Sequence, residues 1–286
     1  MAPLLILMLG SFALVQLLAL GLGAVFVLQQ LSLVQNSADA GNSLFFFGYI
    51  VAAAIALLLV LKFYKGKKLF FALELLLYFT AFEIAFEAIL AGTAFGGPIA
   101  MGLGVLAASI RVLVPSAKNG LLLASTAVVG AVLGSSLDIF PAALLAGLLA
   151  AYDFIAVFVT KHMVDLAEKL ESREAAFSVV FGAPSGKRLL KKGEAGKGAK
   201  GKKVSVIELG TGDLVIPAML AVSALKIGTG GLNFAAAAAA TLGALAGICV
   251  LFYILEKRRG YLPALPPIVF FSLLFLALQA LLSQFL

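Results

Sequence analysis

The chain alternates between long apolar runs and short polar connections. A helix needs roughly 20 apolar residues to cross a hydrocarbon core of about 30 Å. Nine runs meet or approach that length, at about residues 3–28, 44–63, 69–91, 98–115, 120–136, 138–163, 204–225, 231–255 and 264–285. We therefore predict an all-α membrane protein with nine transmembrane helices.

Two of these runs leave an alternative open. The fourth and fifth are the shortest, and residues 115–119 between them form a tight connection. A re-entrant hairpin, which enters and leaves the membrane on one side, is the alternative for this pair. The first run lacks a basic leading segment and is longer than the apolar part of a typical signal peptide. We interpret it as a retained span.

Composition supports a membrane location and argues against a soluble enzyme. The chain of 286 residues is 63% hydrophobic and 12% charged, with a mean hydropathy of +1.12. Soluble domains are typically about 45–50% apolar and about 25% charged. The net charge of +7 could fit a nucleic-acid-binding protein. Because the basic residues lie in short blocks between apolar runs, we predict lipid contact and no nucleic-acid partner.

The basic residues also predict an orientation. All of the 21 lysines and arginines except Lys226 lie in or beside the even-numbered connections. Cytoplasmic loops of membrane proteins carry an excess of lysine and arginine. The pattern predicts a cytoplasmic N-terminus and a C-terminus on the outer side.

One connection is much longer than the others and divides the chain. Residues 164–203 form a predicted cytoplasmic loop between a six-span unit, 1–163, and a three-span unit, 204–286. Residues 165–176 have the character of a polar helical extension. Residues 182–203 are rich in glycine and lysine without apolar periodicity, which predicts a mobile linker.

Ionisable side chains inside a membrane span are costly and are therefore functional candidates. Away from the outermost residues of the apolar runs, the candidates are Glu74, Glu83, Glu87, Arg111, Asp153, Glu208 and Asp213. Glu74, Arg111 and Glu208 lie near predicted ends, where we expect them to reach water. Glu83 and Glu87 share one helical face, which indicates a structural role or a watery cavity.

Asp153 and Asp213 lie at matching depths in neighbouring, antiparallel runs. Asp153 precedes Lys161 by eight residues, and Asp213 follows Lys203 by ten. At about 1.5 Å per helical residue, both carboxyl groups lie roughly 12–15 Å inside the cytoplasmic boundary. We therefore predict that the two carboxyl groups meet within the membrane.

Two adjacent carboxyl groups in a dry site hold one proton between them. The ionised group can take a proton from a water molecule that attacks a peptide carbonyl, while the protonated group donates toward the carbonyl oxygen. This chemistry needs neither a metal nor a cofactor. The single histidine, His162, stands at a predicted span end and leaves few residues for a zinc site or a serine triad.

Glycines immediately precede the second aspartate. Gly210 and Gly212 flank Thr211 and would let another backbone approach Asp213 closely. Residues 204–207 favour β-structure, so we hypothesise that they pair with an unwound substrate strand. Small residues in membrane spans also serve helix packing, which is the alternative explanation for these glycines.

Prolines mark the entrance to the last run. Pro263 is followed by Ala264 and Leu265, and then by Pro266 and Pro267. These prolines disfavour regular helix and leave backbone groups unpaired. Non-helical backbone at membrane depth is tolerated only beside protein or a water-filled cavity. A role in starting the last helix is the alternative.

Together these motifs resemble the presenilin and signal peptide peptidase family of intramembrane aspartyl proteases. The resemblance rests on Tyr152-Asp153, on the Gly-Thr-Gly-Asp string at 210–213 and on the Pro-Ala-Leu string at 263–265, in order within nine predicted spans. The predicted orientation is that of presenilins, because signal peptide peptidases are inserted oppositely. The chain looks most like an archaeal presenilin homologue that acts without partner subunits.

The resemblance implies a role for each motif residue. Asp153 and Asp213 would be the catalytic acids, and the other motif residues would support the active site and the substrate cleft: Tyr152, Gly210, Thr211, Gly212, Pro263, Ala264 and Leu265. Thr211 stands where presenilins commonly have leucine, so fine specificity would differ.

The sequence therefore predicts an endopeptidase that cuts transmembrane helices of single-span membrane proteins near the cytoplasmic leaflet. It leaves a homo-oligomer open. The alternative is a channel or transporter that uses the same carboxylates as an ion or proton relay. A prepilin-peptidase-like enzyme is a further alternative, but it does not account for the proline motif and would cut substrates outside the hydrocarbon region. A non-catalytic scaffold, the last alternative, does not account for the cost of two buried acids.

Overall fold

The computed structural model describes residues 2–63, 68–158, 178–181, 207–228, 231–257 and 262–284. Within these ranges the chain forms nine α-helices, a short 3-10 turn at Pro115–Ala117 and one pair of strands. The helices are α1 Ala2–Leu28, α2 Gly41–Phe63, α3 Lys68–Ile89, α4 Gly96–Leu113, α5 Lys118–Ser136, α6 Ile139–Phe158, α7 Thr211–Ala224, α8 Phe234–Lys257 and α9 Leu265–Leu282. The strands are β1 Ser178–Phe181 and β2 Ile207–Gly210.

The helices confirm a polytopic, helical membrane protein. In the described part of the chain, seven helices are long and apolar enough to cross a bilayer. Two shorter apolar stretches, Gly41–Leu57 and Thr211–Ala224, lie in α2 and α7. The exact number of nine spans stays a prediction. The fourth and fifth runs form separate helices on either side of the 3-10 turn.

The seventh predicted span, 204–225, is wrong at its beginning. Helix α7 starts only at Thr211, and strand β2 precedes it. Gly210 is the N-cap residue of α7 and has an extended backbone, with φ −65° and ψ 142°. Because glycine and the β-favouring residues before it do not support helix, the chain enters the bundle as a strand and turns into a helix beside Asp213.

Strand β2 pairs antiparallel with β1, so that Ser178 lies opposite Gly210 and Phe181 opposite Ile207. No strand was predicted in the long loop, because four residues alone carry little signal without their distant partner. The remainder of that loop, including the predicted helical extension at 165–176 and the predicted linker at 182–203, lies outside the described residues.

Helix α7 lies at the centre of the described bundle and packs against α1, α5, α6, α8 and α9. Glycines on α5 make its close approach possible. A Cβ on Gly130 would lie 2.7 Å from the Cβ of Ala218, and a Cβ on Gly134 would lie 2.6 Å from the Cβ of Val222. Small residues of this kind let membrane helices pack backbone to backbone. They hold α7 firmly between α5 and its other neighbours.

Helices α8 and α9 pack closely through a second pair of glycines. A Cβ on Gly247 would lie 2.6 Å from the Cα of Ile268 and 2.7 Å from the carbonyl oxygen of Pro267. One turn earlier, Gly243 faces the backbone of Phe271 in the same way. This contact fixes the first turns of α9 and therefore the proline segment that precedes them.

Three odd-numbered connections meet at one end of the bundle. The Nζ of Lys226, after α7, lies 2.9 Å from Asp138 Oδ1 between α5 and α6, and donates to the Ser135 carbonyl at 3.0 Å. The Asp138 N–H donates to the Ser37 carbonyl, between α1 and α2, at 2.9 Å. If successive spans alternate in direction, all odd-numbered connections lie on the same side of the membrane, and the observed contacts agree with this.

Glu74 and Arg111 do not reach water as expected. Glu74 is only 5% exposed, and its carboxylate accepts two hydrogen bonds from Arg111, at 2.8 and 3.3 Å, and one from the Tyr78 hydroxyl at 2.7 Å. The Arg111 guanidinium also lies over the Phe71 ring, 5.2 Å from its centroid. Because these groups satisfy each other, both charges remain in the bundle and tie α3 to α4.

Candidate active site

Asp153 belongs to the face of α6 that the bundle buries. Its side chain is 7% exposed, and it continues a buried stripe with helical spacing: Ala142, Leu145, Ala146, Leu149, Ala150 and Ala156. Helical residues three or four apart lie on the same face. The helix therefore has to carry this carboxyl group inward together with its apolar neighbours, and Asp153 faces the interior of the protein.

Asp213 lies in the first turn of α7, three residues after the N-cap residue Gly210. Its carboxylate interacts with the Gly210 N–H. This is the arrangement in which an acid in the third helical position reaches back to the N-cap backbone. A Cβ on Gly210 would lie 3.2 Å from Asp213 Oδ2, so glycine leaves the room that the carboxylate occupies.

The start of α9 supplies backbone donors to Asp153. The Leu265 N–H donates to Asp153 Oδ2 at 3.2 Å, and the Ala264 N–H also interacts with this carboxylate. The first N–H groups of any helix have no partner within the helix. Pro266 and Pro267 carry no N–H, so Leu265 and Ala264 present the donors at this end. The proline motif therefore binds the carboxylate through its backbone.

The two aspartates belong to one site. Helix α6 packs against α7, and the carboxyl groups are near enough for the charge of Asp153 to act on Asp213. The structure thus brings together Asp153, Asp213, Gly210, Ala264 and Leu265. Their elements are far apart in sequence, since 112 residues separate Asp153 from Leu265.

The other predicted site residues occupy the surroundings. Tyr152 points toward α2, where its ring meets Phe47 edge to face with 6.4 Å between centroids. Pro263 is buried, and Thr211 is partly exposed. Gly212 is exposed, and a Cβ there would meet nothing within 4 Å. Gly212 thus leaves open space beside Asp213, whereas Gly210 makes room for its carboxylate.

Prolines at this site also help to start the last helix, which is the alternative role that the sequence left open. Pro266 and Pro267 occupy the first turn of α9, and the helix continues through them without interruption. Proline suits these positions because its fixed φ is already helical. Only residues 262–264 before the helix are non-helical, so the irregular segment is shorter than expected.

Sequence reasoning missed one polar residue next to the site. Gln16 on α1 is fully buried, and its Nε2 donates to the Leu214 carbonyl at 3.3 Å. Glutamine does not ionise, so it is not among the ionisable candidates within the spans. A lone glutamine inside the apolar run 3–28 was the signal that could have found it, because amide groups in membrane helices seek partners.

Within the described ranges, no three His, Cys, Asp or Glu side chains come together in a way that could hold a metal ion. The site consists of two carboxyl groups, backbone N–H donors and open space beside Asp213. Such a set can activate a water molecule and protonate a carbonyl oxygen.

Comparisons with known proteins identify the family of the chain. A sequence profile described as "Signal-peptide peptidase, presenilin aspartyl protease" matches residues 9–269. No curated protein matches the chain. A presenilin family intramembrane aspartate protease in a C222 crystal is similar, with a TM-score of 0.69, 26% identity and coverage of 97% of this chain and 99% of that one. A presenilin family protease in a P2 crystal has a TM-score of 0.65 and 25% identity, with 95% and 96% covered.

These findings select the protease hypothesis over the channel, prepilin-peptidase and scaffold alternatives. The profile spans most of the chain, and both structural neighbours match over nearly their full length. The chain belongs to the signal-peptide peptidase and presenilin family, and it is an intramembrane aspartyl protease.

Proposed function

We propose that Asp153 and Asp213 are the catalytic pair and that the enzyme hydrolyses peptide bonds within the transmembrane helix of single-span membrane proteins. One observation carries the proposal. Two carboxyl groups on adjacent helices are near enough to interact, the Leu265 N–H donates to Asp153, and the Gly210 N–H interacts with Asp213. No other pair of acids within the described residues combines burial, mutual proximity and backbone donors in this way.

In the proposed reaction the two carboxyl groups share one proton before catalysis. The ionised carboxyl group takes a proton from water, and the water oxygen bonds to the peptide carbonyl carbon. The protonated carboxyl group gives its proton to the carbonyl oxygen, which yields a neutral diol. Collapse of the diol breaks the C–N bond: the carboxyl group that is now protonated gives its proton to the leaving amine, and the one that is now ionised takes a proton from a diol hydroxyl. The dyad thereby regains its starting state.

The substrate has to present an unwound peptide bond, because a helix hides its backbone. Strand β2 runs directly into the first turn of α7 and pairs with β1 along one edge. Along its other edge, no strand is present among the described residues. We propose that an unwound substrate segment pairs there, and that the open space at Gly212 admits its backbone to Asp213.

We propose a cytoplasmic N-terminus, an outer C-terminus and cleavage near the cytoplasmic leaflet. The distribution of basic residues supports this orientation. Lys226, the exception to that distribution, lies where the odd-numbered connections meet and is paired with Asp138. A pairing of this kind neutralises the one basic residue that the proposal places on the outer side.

The test is cleavage of a single-span substrate by purified enzyme in liposomes. Asp153→Asn and Asp213→Asn should each lower kcat by about a thousandfold or more, because neither amide can exchange the proton. Asp39→Asn is the matched control. Asp39 lies in an exposed connection and accepts a hydrogen bond from the Gly41 N–H, which the asparagine oxygen can still accept. Retained cleavage in either dyad variant would remove the proposal.

A further inference from the structure

Gln16 connects α1 to the helix that carries Asp213. It is 0% exposed, and its Nε2 donates to the Leu214 carbonyl across 198 residues of sequence. A carbonyl oxygen can only accept, so the amide has to present its NH2 group to Leu214. The other atom, Gln16 Oε1, is buried and has no hydrogen-bond partner among the described residues. The donated hydrogen bond is therefore what this side chain contributes to the described bundle.

The hydrogen bond from Gln16 lies in the first turn of α7, where a proline and two glycines weaken the restraint that the helix places on its own backbone. Pro217 lies inside α7 and carries no N–H, so it cannot supply the usual helical hydrogen bond to the Asp213 carbonyl, four residues earlier. The first turn is also bounded by Gly210 and contains Gly212, which restrict the backbone little. The catalytic turn thus has few restraints of its own, and Gln16 holds the residue directly after Asp213.

Helix α1 is placed to hold this turn. Two turns beyond Gln16, a Cβ on Gly23 would lie 2.5 Å from the Cγ atoms of Val222, so the helices are in close contact there. Gln16 meets Leu214, and Gly23 meets Val222, eight residues further along α7. The residue numbers of the two contacts increase together along both helices, so α1 runs parallel to α7. The two helices are in contact on both sides of Pro217.

We propose that Gln16 is a positioning residue, whose amide fixes the first turn of α7 so that the Asp213 carboxyl group meets Asp153 at a productive distance. This inference rests on the proposed role of Asp213 as a catalytic acid. Gln16 acts through the Leu214 backbone and does not touch the reacting atoms. A residue that only joined two helices would affect folding, whereas a positioning residue affects kcat in enzyme that is already folded.

The experiment measures kcat, KM and the midpoint of thermal unfolding of reconstituted enzyme with a single-span substrate. Gln16→Met keeps the length of the side chain and removes the donor. It should lower kcat about tenfold with KM changed by no more than about twofold. Thr241→Val is the control, because it removes a buried hydroxyl that donates only within its own helix, to Ala237. It should keep the kcat of the starting protein.

Gln16→Glu provides a second test with nearly unchanged shape. A protonated glutamic acid can donate to the Leu214 carbonyl, but an ionised one cannot. The ratio of its kcat to that of the starting protein should therefore rise as the pH falls. Asp153 and Asp213 titrate in both proteins, so taking the ratio separates their contribution from that of residue 16. If Gln16→Met does not fold, this ratio decides the question alone.

Two results would overturn the inference: full kcat in Gln16→Met, or a kcat ratio for Gln16→Glu that does not change with pH. Asp213→Asn, measured in parallel, separates this failure from that of the proposed function. Loss of activity in Asp213→Asn together with normal Gln16 variants would remove only the positioning role. Retained activity in Asp213→Asn would remove the catalytic dyad itself.

Discussion

Replacing Gly247 with alanine should move the start of α9 away from Asp153. A Cβ at this position would lie 2.6 Å from the Cα of Ile268, whereas ordinary contacts begin at about 3.4 Å. The neighbouring atoms are backbone, which cannot rotate aside, so α9 has to shift by about 0.8 Å. The hydrogen bond from the Leu265 N–H to Asp153 is already 3.2 Å long, and such a shift would extend it to about 4 Å.

The size of the effect follows from the lost hydrogen bond. A hydrogen bond to a charged group contributes about 1.5–3 kcal/mol, and each 1.4 kcal/mol corresponds to a factor of ten. We therefore expect Gly247→Ala to lower kcat about tenfold to a hundredfold. Overpacking should also lower the free energy of unfolding by about 1–3 kcal/mol.

The assay is single-span substrate cleavage by enzyme whose folded fraction is known from thermal unfolding. Gly147→Ala is the matched control, because Gly147 lies on the exposed face of α6, the helix of Asp153, and a Cβ there meets nothing within 4 Å. It should keep kcat and the unfolding midpoint. Unchanged kcat in folded Gly247→Ala would refute the argument that the packing of α8 on α9 sets the backbone donor at Asp153.

Two further predictions concern charged groups away from the site. Arg111→Met should destabilise the protein by about 3–5 kcal/mol, because it leaves the Glu74 carboxylate buried without its cation. Adding Glu74→Gln should restore most of the lost free energy of unfolding in a double-mutant cycle, and additive losses would contradict the pairing. Burial lowers the pKa of Lys226 despite its ion pair with Asp138, so the folded protein binds this proton less tightly than the unfolded chain. Stability should therefore rise with pH from the lowered pKa up to the ordinary value of 10.5, and Lys226→Met should lack that rise in thermal unfolding measured against pH.

That the two aspartates lie near each other could be predicted, because their depth in the bundle depends on a constant of the α-helix. The rise per residue is the same in every helix, so counting from the charged borders placed Asp153 and Asp213 at one depth. The count treated residues 204–210 as helical, although 207–210 form a strand. The structure nevertheless has both acids in one site, since both lie on segments that border the same long loop.

The partners of Glu74 and Gln16 could not be predicted in the same way. Helices that are apolar on every side carry no stripe that identifies the buried face. The sequence therefore shows that Glu74 is in a span, but not that α4 brings Arg111 against it. Gln16 is a similar case, because its partner Leu214 lies 198 residues away and is a backbone carbonyl, which any residue could supply.

The glycine motif and the proline motif perform one physical task. A lipid-embedded backbone has to satisfy its own N–H groups, and helix starts are the places where those groups remain available. Gly210 ends a strand and begins α7, while Ala264 is the N-cap of α9. Each helix start directs its free N–H groups at a carboxylate, Asp213 in the first case and Asp153 in the second. The same N–H groups that would be a liability in lipid thus bind the two acids, and the site requires both helix starts to lie within the bundle.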